Sequence, residues 1–196
     1  MPRGKIFWRM ILFFGFLVAF FPCWALGAET STRVLEKAKF PIAQARRAEG
    51  EKKAVARQRE EELIAQARRF PLLRVQSVKE GVAIILLALN LFNAKIELTS
   101  DGKDLLDQVG TLLRNYSYPK IVVKGHTDST GSEEINQAVS RRRAKQVRDY
   151  LVAYQEVPPG RIVAEGLGPS RPVATNATKA GRALNRRVEI VVLTGE

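Results

Sequence analysis

Cysteine and histidine are almost missing from this 196-residue chain, which has one of each, Cys23 and His126. A single thiol cannot close a disulfide within the chain. One histidine and one cysteine are also too few for a His/Cys metal centre. Ser129 and Thr127 flank Asp128, but no base stands at a spacing that would activate either hydroxyl, so no nucleophilic catalyst is expected. Aromatic residues make up 8% of the chain. They are not interleaved with the basic positions Arg141, Arg142, Lys145 and Arg148, so the stacking platform of a nucleic-acid binder is missing. Acids are scarce too, with 20 Asp and Glu against 32 Lys and Arg and a formal charge of +12. That balance suggests affinity for an anionic polymer. The expectation is a non-enzymatic binder with no catalytic residues, metal, cofactor or nucleic-acid partner.

Residues 1–28 read as a signal peptide. Arg3, Lys5 and Arg9 form a basic start, Met10 to Phe21 an apolar core, and Ala25-Leu26-Gly27-Ala28 a small-residue exit. The apolar stretch from Met10 to Gly27 is long enough to keep an uncleaved N-terminal membrane anchor as the alternative, although Pro22 interrupts it. Cys23 follows Phe20-Phe21-Pro22, which lacks the small and aliphatic residues of a lipidation site. Loss of Arg3, Lys5 and Arg9 with the leader would take the formal charge from +12 to +9, and would leave no cysteine. Export itself argues against nucleic acid.

Residues 29–70 are rich in Ala, Glu, Lys, Arg and Gln. Pro41 should stop or restart any earlier helix, and from Ile42 a helix to Arg69 would reach roughly 42 Å. Glu49–Lys53 has the favourable i,i+4 order. The apolar content, mostly alanine with Val55, Leu63 and Ile64, is thin for a core. The segment reads as a charged helical spacer or weak coiled coil, a site for an envelope protein partner, with a disordered linker as the alternative.

Residues 71–196 carry the folded domain. Leu72–Val78 and Val82–Leu89 read as strands around a Lys79-Glu80-Gly81 turn. Leu105, Leu106, Val109, Leu112 and Leu113 repeat at helical spacing behind the capping cluster Thr99-Ser100-Asp101. Then come a strand at Lys120–Lys124, a helix from Ser132 to the break at Val157-Pro158-Pro159-Gly160, a strand at Ile162–Glu165, a short helix at Lys179–Leu184 and a strand at Arg187–Leu193. The order β-β-α-β-α-β-α-β predicts an α+β fold, a mixed β-sheet with helices packed on one face.

Within this domain the pair Asp128 and Arg143 stands out. Asp128 lies in a Gly-flanked loop after the strand. At about 100° per residue, Arg143 falls near the middle of a helix face carrying Val139, Val147, Tyr150, Leu151 and Tyr154, with Asn136 on the same line roughly 10 Å away. A guanidinium on such a face is costly unless paired or bound. It is either a structural partner of Asp128, a snorkelling side chain, or one end of a clamp in which Arg143 grips a carboxylate and Asp128 an ammonium.

Four features occur in order: GHTDSTG at Gly125–Gly131, Asn136, S-x-x-R-A at Ser140–Ala144, and Asn185-Arg186-Arg187-Val188. Together they resemble the OmpA-like peptidoglycan-binding domain, over about Val75 to Leu193. The resemblance implies a βαβαβ core and noncovalent binding of the diaminopimelate in peptidoglycan stem peptides. It assigns the diaminopimelate amine to Asp128 and the carboxylate to Arg143. Thr127 and Asn136 would add polar contacts, and Arg186 a weaker one. Leu91–Leu98 departs from the family, being shortened and lacking the usual aspartate, with Asn93 as the candidate substitute. His126 reads as a hydrogen-bonded structural residue. The implied location is the periplasm or cell envelope, soluble or associated with the outer membrane. An uncleaved leader would instead make the chain an inner-membrane-anchored scaffold or stator-like protein, although Met10–Gly27 lacks the acidic residue of a proton-carrying helix.

Overall fold

The computed structural model describes residues 26–114 and 120–194. The leader reading and Cys23 therefore lie largely or wholly outside the described residues. The chain divides into two units between Arg47 and Ala48. In the first, the described residues are helical. No helix among the described residues is long and apolar enough to cross a membrane.

Helix α1 spans Leu26–Ala67. Pro41 does not end it, contrary to expectation, because an interior proline removes one i→i−4 hydrogen bond without obliging the helix to stop. From Ile42 to Glu62 nearly every side chain is exposed, and Glu49–Lys53 and Arg57–Glu61 form i,i+4 pairs across this surface. The end of the helix behaves differently. Leu63 and Ala67 are buried in the main apolar core, and Glu60 accepts hydrogen bonds from Ser77 at 2.9 Å and from Thr194. These last turns belong to the same packed body as the sheet.

Strands β1 (Arg74–Val78) and β2 (Gly81–Leu87) form a hairpin in which Val78 pairs with Gly81. The turn is thus the two residues Lys79-Glu80. Gly81 sits inside the ladder with φ 143°, where an added Cβ would stand 2.1 Å from the Val192 carbonyl oxygen. One helical turn, α2 (Ala88–Leu91), leads to α3 (Ser100–Arg114), capped by Thr99 Oγ1 accepting from the Gly102 N–H at 3.0 Å. Strand β3 (Lys120–Gly125), helix α4 (Glu133–Tyr154), strand β4 (Ile162–Gly166), helix α5 (Lys179–Asn185) and strand β5 (Arg187–Leu193) follow.

The five strands form one mixed sheet in the order β1-β2-β5-β3-β4. Only β3 and β4 run parallel, while β5 lies antiparallel between β2 and β3. Period-2 alternation sends Val82, Ile84, Leu86, Ile121, Val123, Val188, Ile190 and Val192 to one face, where α3 and α4 bury Leu106, Val109, Leu112, Val147 and Leu151 against them. The architecture is the expected α+β one.

Truncating a fully buried leucine leaves a cavity as well as losing transfer energy, about 2–5 kcal/mol in all. Leu63→Ala should therefore destabilise the protein by about that much in urea denaturation. Val55→Ala, on an exposed stretch of the same helix, should change it by less than about 0.5 kcal/mol.

Candidate functional site

The site forms where α4 leaves the sheet. Gly125, the last residue of β3, and Gly166, the last of β4, lie directly under the helix backbone. A Cβ on Gly125 would stand 2.1 Å from the Ser140 carbonyl oxygen, and one on Gly166 would stand 2.5 Å from the Arg141 nitrogen. Only glycine permits that approach. Small and polar side chains then fill the contact, so the buried line of α4 runs Asn136, Ser140, Ala144, Val147, Leu151. Arg143 and Val139 are half-buried beside this line rather than central to it, and Tyr154 is exposed. Apolar periodicity places the stripe wrongly because it does not register a contact made by small residues.

Polar bonds stitch the surrounding loops to the helix. Ser140 Oγ donates to the Gln137 carbonyl at 3.0 Å and accepts from the Gly168 N–H at 3.0 Å. Gln137 Nε2 donates to the Gly166 carbonyl at 2.6 Å. Gly168, at φ 51°, in turn offers its carbonyl to the Thr127 N–H at 3.0 Å. Asn136 Nδ2 donates to the Thr130 carbonyl at 3.0 Å, and Ser132 caps the helix by accepting from the Ile135 N–H. Asn136 thus holds the Asp128 loop through its Nδ2.

Asp128 is buried. Its Oδ1 accepts the Thr130 N–H at 2.9 Å and its Oδ2 takes Arg186 Nη1 at 2.5 Å. Burial works to raise its pKa, but the Thr130 and Arg186 hydrogen bonds outweigh it and hold the carboxyl below the ordinary aspartate range. The Asp128–Arg143 ion pair raised as the structural alternative is not formed among the described residues, since Asp128 pairs with Arg186 instead. Arg143 has its guanidinium carbon 5.9 Å from the centre of the Phe92 ring, and its Nε is buried with no hydrogen-bond partner. Burial first, then the neighbouring Arg186 charge, lower its pKa, against the pull of Asp128. Thr127 Oγ1 is likewise buried and unpartnered. Asp128, Arg143 and Arg186 therefore share one electrostatic neighbourhood. Thr127 and Asn136 flank Asp128, in its loop and on the adjoining helix.

Asn93 does not stand in for the missing aspartate. Its Oδ1 accepts the Lys95 and Glu97 N–H groups at 2.9 and 3.0 Å, and its Nδ2 donates to Glu97 at 3.0 Å. Gln146 of α4 holds that loop by donating to the Ile96 carbonyl.

One buried cluster behind the site escapes sequence reasoning. Arg187 is 2% exposed and bonds Glu189 at 2.7 Å, the Arg171 carbonyl at 3.1 Å and the Asn185 carbonyl at 3.3 Å. His126, 1% exposed, has neither ring nitrogen hydrogen-bonded, contrary to expectation, and its Nε2 stands 3.6 Å from Glu189. Burial would raise the Glu189 pKa, but the adjacent His126 ring and the Arg187 guanidinium overcome it and bring it to about 2. The signal available in the sequence was the unbroken Asn185-Arg186-Arg187 run, whose members are tied down on both sides of Arg186. Among the described residues no group of three or more His, Cys, Asp or Glu could hold a metal ion.

The OmpA family matches residues 93–186, which contain the Asp128 loop, α4 and Arg186. The cell wall anchor of the T6SS from Pseudomonas aeruginosa is 30% identical, with a TM-score of 0.59, covering 67% of this chain and 94% of that one. The chain belongs to the OmpA family. Outer membrane porin F of Pseudomonas aeruginosa is 50% identical over 93 residues, 47% of this chain and 25% of that protein. Peptidoglycan-binding protein ArfA of Mycobacterium tuberculosis is 48% identical over 89 residues, 45% of this chain and 27% of that protein. The chain spans half or less of the length of such curated relatives, so what it shares with them is the OmpA-family domain.

The folded Glu189 pKa of about 2 lies below the ordinary glutamate value of 4.5. Its stabilisation is therefore present above the unfolded value and lost as pH falls through the folded one. Thermal melting between pH 6 and pH 2 should show Tm falling across the lower part of this range. Glu189→Gln should lower Tm at pH 6 and flatten the fall.

Proposed function

We propose that the domain of residues 71–196 binds peptidoglycan noncovalently by gripping the diaminopimelate of the stem peptide, and that it does no chemistry on it. The observation that carries this reading is the buried, unpartnered Nε of Arg143 in the same electrostatic neighbourhood as an ionised, buried Asp128. Arg143 offers a planar donor fork to a carboxylate. Asp128 uses two of the roughly four acceptor directions of a carboxylate on Thr130 and Arg186, which leaves capacity for a ligand ammonium. A diaminopimelate side chain ends in both groups. Thr127 Oγ1 supplies a further unspent polar atom, while Asn136 and Arg186 hold Asp128 in place. A relative named peptidoglycan-binding protein supports the coarser reading, that the domain binds peptidoglycan.

The chain would work in the cell envelope, with residues 1–28 as a leader or anchor and the exposed part of the 29–70 helix as a spacer for an envelope partner. N-terminal sequencing of the mature protein decides between them. A start at Ala28 or Glu29 makes the protein soluble or outer-membrane associated, and an intact Met1 makes it an inner-membrane-anchored scaffold.

The binding reading is tested by co-sedimentation with purified peptidoglycan. Asp128→Ala and Arg143→Ala should each weaken binding about 10- to 100-fold, as expected for a lost charge-assisted hydrogen bond. Lysine-type peptidoglycan, which lacks the second carboxylate, should bind as weakly as the Arg143 variant. Wild-type binding by both variants would sink the site.

A further inference from the structure

The Asp128 loop is fastened to α4 on one side by Asn136. On the other side it is fastened through two asparagine amides that the binding reading leaves unused. Asn185, the fully buried last residue of α5, has every polar direction of its amide spent. Its Oδ1 accepts the Val173 and Ala174 N–H groups at 2.9 and 3.0 Å. Its Nδ2 donates to the Ala174 carbonyl and to Asn176 Oδ1, each at 2.8 Å. Asn176 Oδ1 also receives the N–H of Ser129 at 3.4 Å, a long hydrogen bond, and its main-chain carbonyl accepts Arg182 Nη1 at 2.9 Å.

These contacts close a ring. Asp128 is bonded covalently to Ser129, Ser129 to Asn176 through the N–H, Asn176 to Asn185 amide to amide, Asn185 covalently to Arg186, and Arg186 back to Asp128 through the 2.5 Å ion pair. An ion pair alone fixes two charges at a distance but not in a direction, and the Arg186 side chain is 38% exposed. The two amides supply the direction, because both are planar and Asn185 is immobilised by burial.

We propose that Asn176 and Asn185 are positioning residues for the ligand site, setting where the Asp128 carboxylate stands relative to Arg186 so that it faces an incoming ammonium. This rests on the binding reading above. Asn185 acts from the buried end, and Asn176 is the accessible link, half-buried and in contact with the loop itself.

The test compares full-length wild type with Asn176→Ala, Asn176→Asp and Arg143→Ala, measuring affinity for a soluble diaminopimelate-containing muropeptide by calorimetry and Tm on the same samples. Asn176→Asp keeps an acceptor for both Ser129 and Asn185. Asn176→Ala should weaken binding roughly three- to tenfold, the equivalent of one neutral hydrogen bond, with Asn176→Asp close to wild type. The Ser129 amide resonance should move in the alanine variant and much less in the aspartate variant. A purely structural role would lower Tm in Asn176→Ala and leave affinity unchanged, which overturns the proposal while Arg143→Ala still weakens binding about 10- to 100-fold. Equal weakening by alanine and aspartate also overturns it, since the acceptor would then not be the operating group. Wild-type affinity in Arg143→Ala as well removes the site and the relay together.

Discussion

The backbone contact between α4 and the ends of β3 and β4 is the constraint from which the site follows. Gly125 and Gly166 leave no room for side chains between strand and helix, so α4 crosses the ends of β3 and β4 in backbone contact at Ser140 and Arg141, about two turns from its start. The Asp128 loop and the first two turns of α4 must therefore carry the chain away from the end of β3 and back to it. The close approach also turns a normally apolar interface into one of Asn136, Ser140 and Ala144, and the polar atoms of Asn136 and Ser140 become ties rather than buried liabilities. Ser140 and Gln137 capture the loop after β4, Asn136 captures the loop after β3, and Gly168 joins the two loops to each other. Two parallel strands in an otherwise antiparallel sheet are what place both loops at the same end of the helix.

Behind that contact, the buried charges of β5 give the site its rigidity on the other side. Arg187 is costly to bury unless its donors are matched, and Glu189 together with two main-chain carbonyls matches them. Anchoring residues 185 and 187 on both sides leaves Arg186 facing the loop as the one guanidinium between them. The position of Arg186 is therefore determined by its neighbours before any ligand is considered.

The elements were largely legible from periodicity. Alternation in β2 and β5, the leucine spacing of α3 and the capping residues Thr99 and Ser132 each had a local physical signal, and the structure places those elements within a residue or two of expectation. What was not legible depended on non-local contacts. The end of α1 has little apolar content, yet Leu63 and Ala67 are enough to seat it in the core, because burial depends on what lies opposite and not on composition. The centre of the α4 stripe was misplaced because glycines on two other strands determine it. Motif order brought out Asp128, Arg143, Thr127, Asn136 and Arg186 as a set. Motif order carries no information on pairing, so the exchange of Arg143 for Arg186 as the partner of Asp128 appears only in three dimensions.

That exchange alters the physics of the proposed clamp. An isolated acid and base at opposite ends of a pocket would each be exposed to the cost of desolvation, and each would gain by collapsing onto the other. Here Arg186 already neutralises Asp128, so the acid stays ionised in a buried loop without consuming Arg143. Arg143 is left with burial and a like charge against it, its guanidinium carbon over the Phe92 ring and its Nε without a partner. Two cations around one carboxylate leave a local excess of one positive charge. A simple cation would increase that excess, and a simple anion would meet Arg143 alone and leave the spare acceptor capacity of Asp128 unused. An amino-acid terminus brings a carboxylate to the guanidinium that lacks one, and an ammonium to the carboxylate with acceptor capacity to spare. The proposed clamp would therefore favour a zwitterion that engages both groups over a ligand that reaches only one of them.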